Sequence, residues 1–148
     1  MRDTITFTTQ IPVDEEGYIE LQCQHCNSRF RMHREIWEEG TNDKLFCPSC
    51  GIPSKIQSFL TKEVVDNYQT QVSNYINNTI EQLFSGFKNT KYIKFNHKPI
   101  KNKQEHQILF IEKDVYLSRC STCGQIVKIK EIDKIAGFYC PICGDENE

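Results

Sequence analysis

Four pairs of cysteines, each with two residues between its members, are the residues of this sequence best suited to chemistry by type and spacing. The pairs are Cys23 and Cys26, Cys47 and Cys50, Cys120 and Cys123, and Cys140 and Cys143. The first two pairs are separated by 20 residues and the last two by 16. Each tight turn offers two sulfurs and a hairpin brings a second turn opposite, so this spacing is typical of a tetrahedral metal site. The sequence therefore predicts two metal sites, each with four cysteine ligands.

An even number of cysteines also permits disulfide bonds. The first residues, MRDTITFTTQIP, do not resemble a secretion signal, and no stretch approaches the roughly 18 apolar residues of a membrane helix. We therefore expect the chain in the reducing cytoplasm, away from membranes, where such thiols bind metal rather than oxidise. A thioredoxin-type redox motif is a further alternative, but it needs one pair at a strand-to-helix junction rather than two matched sets.

Zinc is the expected metal, with two Zn²⁺ ions per chain, and iron is the less favoured alternative because both metals accept four thiolates. His25 lies inside the first pair and is an alternative ligand, although four thiolates already fill a tetrahedron. Such a closed site leaves no position for a substrate. The sequence also lacks paired carboxylates, a nucleophile elbow and a phosphate loop. We therefore expect no enzymatic activity.

The two halves of the cysteine pattern lie in similar segments. The stretch IELQCQHCNSRFRM…LFCPSCG aligns with VYLSRCSTCGQIVKI…FYCPICG. In each, a β-prone stretch leads into the first pair, alternating apolar residues follow it, and an aromatic residue precedes the second pair. The alternation predicts strands, and the glycine or asparagine after each pair suits a positive φ. The chain therefore contains an internal repeat, whose first copy has a longer loop that includes Trp37.

The two sets resemble zinc ribbons, including those of transcription-factor and RNA-polymerase type, and CPICG and CSTCG resemble rubredoxin-type knuckles. The resemblance covers residues 18–53 and 113–146 and leaves out the middle of the chain. It implies small antiparallel sheets with a metal clamped between two knuckles, and all eight cysteines as ligands. It is a weak guide to function, because ribbons serve in nucleic-acid binding, protein docking and electron transfer.

The middle segment, residues 61–87, has the pattern of a long amphipathic helix. The apolar residues that recur at spacings near 3.6 include Val65, Tyr68, Val72, Tyr75 or Ile76, and Leu83. Thr61 suits the N-cap and Gly86 suits the end of the helix. A helix of this length exceeds a ribbon, so its apolar face must cover either another part of the chain or the same helix of a second copy. A homodimer is therefore the alternative to a helix packed within one chain.

The expected fold class is a small metal-stabilised α+β protein. Residues 91–96 and 107–117 are predicted to be the strands of a β-hairpin that extends the second ribbon. Two antiparallel zinc ribbons would thus be joined by the long amphipathic helix and this hairpin. The expected segments are an N-terminal ribbon with its leader in 1–57, a helical spacer in 58–90, and the hairpin with the C-terminal ribbon in 91–148. Because ribbons bury little apolar surface, metal binding must supply much of the stability.

The charge distribution leaves nucleic acid open as a partner. The net charge is −2, but residues 82–104 contain six lysines and no acidic residue. The cations that could follow a phosphate backbone are Lys91, Lys94, Lys98 and Lys101, with Arg29 and Arg31 in the first ribbon. The lysine cluster lacks arginine, the usual reader of base edges, and the overall acidity opposes strong binding.

A protein partner is the favoured expectation, and the candidate surfaces are the Trp37 loop and the helix at 61–87. We therefore expect a non-catalytic protein-docking adaptor with two structural zinc sites. The first alternative is a nucleic-acid-binding ribbon protein. The second alternative is a rubredoxin-like iron electron carrier.

Overall fold

The structure is a computed structural model of the 148-residue chain, and it describes residues 4–86, 92 and 101–148. The chain forms two compact units. The helical unit contains the described residues of Met1–Gln10 and Glu63–Gln107, and the ribbon unit contains Ile11–Lys62 and Ile108–Glu148. Both cysteine sets therefore lie in one unit, although the segments expected from the sequence separated them.

The ribbon unit consists of two similar halves. The elements of the first half are β1 (Tyr18–Gln22), β2 (Arg29–His33), α1 (Arg34–Glu39), β3 (Lys44–Phe46) and β4 (Pro53–Lys55), followed by a 3₁₀ helix at Ile56–Phe59. Helix α2 (Lys62–Ser85) follows. The elements of the second half are β5 (Val115–Arg119), β6 (Ile126–Lys130), α3 (Glu131–Ala136), β7 (Phe138–Tyr139) and β8 (Glu146–Asn147). The repeated order of strands and helix confirms the internal repeat.

One four-stranded antiparallel sheet joins the two halves, in the strand order β1-β2-β6-β5. The central junction is the pairing of β2 with β6, at which Arg31 lies opposite Lys128. These two residues are equivalent in the repeat, because each follows the first cysteine of its half by eight positions. The two ribbons therefore form a pair about a local twofold relation rather than two separate modules.

The apolar core covers one face of this sheet. In β2 and β6 the residues Phe30, Met32, Val127 and Ile129 are almost fully buried. They alternate with the cations of the opposite face, as the twofold period of a strand requires. The ring of Phe59 meets that of Phe30 edge-on, with 5.8 Å between centroids. Each buried side chain of this size contributes about 2 kcal/mol of transfer free energy, so the shared core supports both halves at once.

The predicted β-hairpin is only partly tested and partly wrong. Its first strand, 91–96, lies outside the described residues except for Tyr92, which is in a bend. Of the second, 107–117, only the part from Val115 onward is a strand, in β5. The N–H groups of Ile111 and Glu112 instead donate to the carboxylate of Glu20, at 3.2 and 3.0 Å. The Glu20 carboxylate thus accepts hydrogen bonds from backbone N–H groups that were expected to pair with another strand.

Helix α2 begins and ends close to the limits predicted from the sequence, but its amphipathic character is not confirmed. Only Val64 and Asn67 are buried along it, while Tyr68, Tyr75 and Leu83 of the predicted apolar face are 46, 42 and 64% exposed. The hydroxyl of Thr61, expected as the N-cap, has no hydrogen-bond partner among the residues that the structure describes. No helix in the described part of the chain has the length and apolar character needed to span a membrane.

Two asparagines of α2 hold an extended segment of the helical unit. Asn67 donates to the carbonyl of His106 and accepts from its N–H, at 2.7 and 3.0 Å. Asn74 makes the same pair of bonds with Lys103, at 2.7 and 3.0 Å. Seven helical residues rise about 10.5 Å and three extended residues span about 10 Å. The two spacings match, so both asparagines can bind the segment's backbone in register.

Candidate metal centres

The eight cysteine sulfurs form two groups of four, and within each group the sulfurs lie within 4.8 Å of one another. Site 1 contains Cys23, Cys26, Cys47 and Cys50, and site 2 contains Cys120, Cys123, Cys140 and Cys143. This is the grouping that the spacing predicts. His25 is not part of the site 1 group, and its Nε2 lies 3.2 Å from the hydroxyl of Ser54.

The sulfur positions fit a tetrahedral metal ion. In site 1 the sulfurs of Cys23 and Cys50 are 3.7 Å apart, and in site 2 those of Cys120 and Cys143 are 3.5 Å apart. Four ligands at about 2.3 Å from a tetrahedral ion are separated by about 3.8 Å. Thiolates in this arrangement suit zinc, and iron is accepted by the same donor set. The donor set therefore fits one ion per site without distinguishing the metals.

Each cysteine pair is shaped by a turn whose last residue has a positive φ. Asn27 and Gly51 have φ values of 60° and 72° in site 1, and Gly124 and Gly144 have values of 75° and 78° in site 2. In all four turns this residue's N–H donates to the carbonyl of the first cysteine, at 2.8 to 3.0 Å. The left-handed conformation predicted from glycine and asparagine is thus confirmed, and it points the turn's other N–H groups at sulfur.

These N–H groups change the acidity of the thiols that they reach. Burial raises the pKa of the Cys120 thiol, but hydrogen bonds from the backbone of Cys123 and Thr122 and from Asn147 outweigh it and lower the pKa to about 6. The pKa of Cys23 is also lowered, because backbone bonds from Cys26 and His25 outweigh its burial. Burial dominates at Cys140 and raises its pKa. In each site the first cysteine thus has a lowered pKa, and burial raises the pKa of the first cysteine of the second pair, Cys47 or Cys140.

The second turns of the two sites pack reciprocally. The N–H of Phe46 donates to the carbonyl of Pro141 at 2.9 Å, and that of Tyr139 donates to Pro48 at 3.0 Å. Phe46 and Tyr139 directly precede the second cysteine pairs of their halves. The two metal sites are therefore joined by equivalent contacts in both directions, which the sequence did not predict.

The two sites differ in one contact to sulfur. The buried side chain of Asn147 points its Nδ2 at the Cys120 sulfur, at 3.6 Å, and its Oδ1 accepts from the Ser121 N–H at 2.8 Å. Aligned on the second cysteine pairs, Asn147 corresponds to Ser54 in the first half. Ser54 contacts His25 and has no bond to sulfur. Aligning the residues after the two CPxCG turns would have exposed this difference.

The two arginines considered as nucleic-acid contacts form ion pairs within the ribbon unit. Arg29 pairs with Glu20 and Arg31 pairs with Asp14, both at 3.1 Å, and their side chains are 12 and 10% exposed. Arg31 also donates to the carbonyl of Glu112 at 2.5 Å. These buried pairs leave little guanidinium surface for a phosphate backbone. Of the lysines expected to act with them, Lys101 is exposed, and Lys91, Lys94 and Lys98 lie outside the described residues.

Trp37 lies at the border between core and surface. Its side chain is half-buried against the core, and it lines an open groove of about 690 Å³. Lys44 and Lys55, opposite each other on β3 and β4, lie on the same groove, with Ile56 beside them. The structure thus gives the predicted Trp37 surface a concave shape with an aromatic wall.

No protein-family model matches the sequence, and comparisons with curated proteins and with solved structures give no match either. The likeness to zinc ribbons therefore depends on the cysteine spacing, the turns and the sulfur geometry described above. These support two four-cysteine metal sites of the tandem ribbon kind.

Proposed function

We propose that this chain is a non-catalytic adaptor, in which two zinc ions stiffen the ribbon unit so that its surface can dock onto a protein partner. The observation that carries the proposal is the closure of both sites. Each collects four sulfurs, and two of the four cysteines in each site are buried. A zinc ion with four thiolates has no open position for a substrate. Its contribution would be to hold the two turns together and supply folding free energy.

The Trp37 groove supports docking as the second half of the proposal. Aromatic side chains fixed against a core make strong interface anchors, because little conformational entropy is lost when they are covered. The groove is lined by side chains of both polar and apolar character, as expected at a protein interface. A reducing compartment such as the cytoplasm is part of the proposal, because the thiols must stay free to bind metal.

Metal content is the first test. We expect purified protein to contain two zinc ions per chain and to lack visible absorption. Iron with charge-transfer bands and a reversible one-electron couple, in protein made with ample zinc, would favour the electron-carrier alternative. Protein that binds neither metal would contradict the proposal as a whole.

Docking needs a separate test with a matched control. The zinc-loaded full chain is immobilised and compared with the Trp37→Ala variant and with Tyr75→Ala, which removes an exposed aromatic ring from the other candidate surface, helix α2. We expect a protein that is retained by the wild type and by Tyr75→Ala, is lost with Trp37→Ala, and re-forms the complex from two purified components. Equal retention by all three chains would refute the groove as the docking surface.

Nucleic-acid binding remains the alternative function, on the evidence of the acid-free lysine segment. It predicts oligonucleotide binding that weakens with salt and when Lys91, Lys94, Lys98 and Lys101 are replaced by glutamate. Binding unaffected by these substitutions would rule out the segment as a phosphate-binding surface.

A further inference from the structure

We propose that the two metal sites are unequal, that site 1 loses its metal first, and that Asn147 is the positioning residue that makes site 2 the tighter one. The inference concerns regulation of the same sites and depends on the structural zinc role proposed above. It follows from a side-chain contact to sulfur that site 2 has and that site 1 lacks among the described residues.

The first step is the donation from Asn147 to a ligand sulfur. Its Nδ2 lies 3.6 Å from the sulfur of Cys120, and both residues are buried, at 5 and 1% exposure. Four thiolates around a divalent cation carry a net charge of −2, which burial makes costly. An N–H donor stabilises that charge, and second-shell donors of this kind typically contribute 10- to 100-fold in metal affinity.

The second step is the tether to the first turn of site 2. The Oδ1 of Asn147 accepts from both the N–H and the hydroxyl of Ser121, at 2.8 and 2.9 Å. Its Nδ2 also donates to the carbonyl of Asp145 at 3.0 Å. One side chain therefore ties β8 to the turn that carries Cys120 and Cys123. These bonds fix the Asn147 amide beside the Cys120 sulfur in the folded site, so the donor needs no reordering to stabilise the metal-bound thiolate.

Site 1 lacks the sulfur contact at the equivalent position. Ser54 of β4 also bonds to the first turn of its site, at 3.2 Å from the Nε2 of His25 in an exposed arrangement, but it makes no bond to sulfur among the described residues. The turns, the positive-φ residues and the backbone bonds to the first cysteine are common to both sites. Site 1 has in addition a bond between the hydroxyls of Ser28 and Ser49, at 2.7 Å, which links the segments of its two cysteine pairs without reaching a sulfur. The difference in affinity is therefore assigned to Asn147 rather than to the cysteines themselves.

The test uses the full chain loaded with two ¹¹³Cd²⁺ ions, which occupy thiolate sites and give one resonance each. The resonances are assigned with single-site cysteine variants, and EDTA is then added stepwise. We expect the site 1 signal to disappear first, at a chelator concentration about 10- to 100-fold lower than site 2 requires. Parallel loss of both signals, or earlier loss of site 2, would overturn the inference.

Two variants separate the sulfur contact from the tether. Asn147→Asp keeps an oxygen that can accept from Ser121 but replaces the donor to sulfur by a carboxylate, whereas Asn147→Ala removes the donor and the acceptor without adding charge. We expect each to bring site 2 down to the affinity of site 1 or below, with the larger loss for Asn147→Asp, because its carboxylate repels the thiolates. Ser54→Ala is the matched control at site 1 and should leave site 2 unchanged. Retention of the wild-type order of release in both Asn147 variants would refute the role of Asn147.

The outcomes distinguish this inference from the proposed function. Wild-type protein that binds two ions of equal affinity refutes only the inequality, because structural metal sites would remain. Wild-type protein that binds no metal refutes both. The wild-type titration needs no variant, so a variant that fails to fold leaves the order of release measurable.

Discussion

Arg31 and Lys128, equivalent residues of the two ribbons, lie opposite each other in the central sheet and bind the same oxygen of Asp14. The distances from Asp14 Oδ2 are 3.1 Å to the guanidinium and 2.7 Å to the ammonium group. All three side chains are about nine-tenths buried. One carboxylate thereby bridges two like charges that the pairing of β2 with β6 brings together.

Replacing Asp14 by asparagine should destabilise the ribbon unit. Two buried cations would lose their shared anion, and breaking a buried pair from one side typically costs about 3 kcal/mol. Glu16 also pairs with Lys128, but its side chain is 57% exposed, so Glu16→Gln should cost less than about 1 kcal/mol. Urea unfolding of the zinc-loaded protein at pH 7 measures both. Equal, small effects would show that the shared carboxylate is not essential to the junction.

The effect of Asp14→Asn should not vary with pH between about 6 and 9. Burial raises the pKa of Asp14, but bonds from Lys128, the Tyr18 N–H and Arg31 outweigh it and lower the pKa to about 2. The stabilisation by Asp14 is therefore complete above its unfolded value of 3.8 and is lost only as the pH falls towards 2. Burial lowers the pKa of Lys128, but its bonds to Asp14 and Glu16 raise it beyond 10.5, so its contribution is lost only above that pH. The difference in unfolding free energy between wild type and Asp14→Asn should therefore stay constant from about pH 6 to 9. A change of this difference with pH would contradict the view that Asp14 and Lys128 both stay charged in that range.

Methyl groups at the second turns should break the packing between the two sites. A Cβ on Gly144 would lie 2.9 Å from the ring of Phe46, and one on Gly51 would lie 3.0 Å from the ring of Tyr139. Gly124 has a similar φ of 75° but no atom within 4 Å of such a Cβ. Gly124→Ala should therefore show the backbone strain alone, about 1 kcal/mol. Gly51→Ala and Gly144→Ala should each cost about 1 to 3 kcal/mol more through the ring contact.

The measurement is the unfolding free energy of the zinc-loaded variants. Similar losses for the three alanine substitutions would mean that the rings move aside at little cost. That result would weaken the view that the reciprocal contacts of Phe46 and Tyr139 couple the two sites.

Removal of metal should unfold the ribbon unit. Its core is small, and each sulfur group needs its ion to hold its own two turns together, so the sheet cannot persist once both sites are empty. We expect EDTA to abolish the dispersed amide signals of β1, β2, β5 and β6, and added zinc to restore them. A sheet that keeps its dispersion after complete chelation would show that the metal is dispensable for folding.

Loss of the asparagine contacts should release the extended segment of the helical unit. Asn67→Ala and Asn74→Ala remove the acceptors of the His106 and Lys103 N–H groups respectively. We expect faster hydrogen exchange at the matching amide in each variant, by roughly fivefold for a bond of about 1 kcal/mol. Asn77→Ala, on the same helix but without such a bond in the described residues, is the control. Unchanged hydrogen exchange at both amides would show that the two asparagines do not hold the segment in place.

The cysteine groups and their turns could be predicted from the sequence because they depend on short-range geometry. Two sulfurs separated by two residues, followed by glycine or asparagine, leave few conformations open, and the spacing between pairs matches one hairpin. The existence of α2 could also be predicted from the sequence, because its apolar residues recur with a helical period. The sequence could not show what that helix covers, because helical periodicity does not identify the residues against which an apolar face packs. The burial of Asn67 illustrates this, because a polar residue gave no sign of binding the backbone of His106.

The choice of strand partners was decided only by the tertiary structure. Alternation in β2 predicts a strand with Phe30 and Met32 on one face, but any free edge could have paired with it. Its actual partner, β6, lies far along the chain, and the two join because Phe30 and Met32 share a core with Val127 and Ile129. That same pairing turns Arg31 towards Asp14 rather than towards solvent. The cysteines thus determined by themselves where metal can bind, while long-range burial and charge neutralisation decided that the two sites belong to one body.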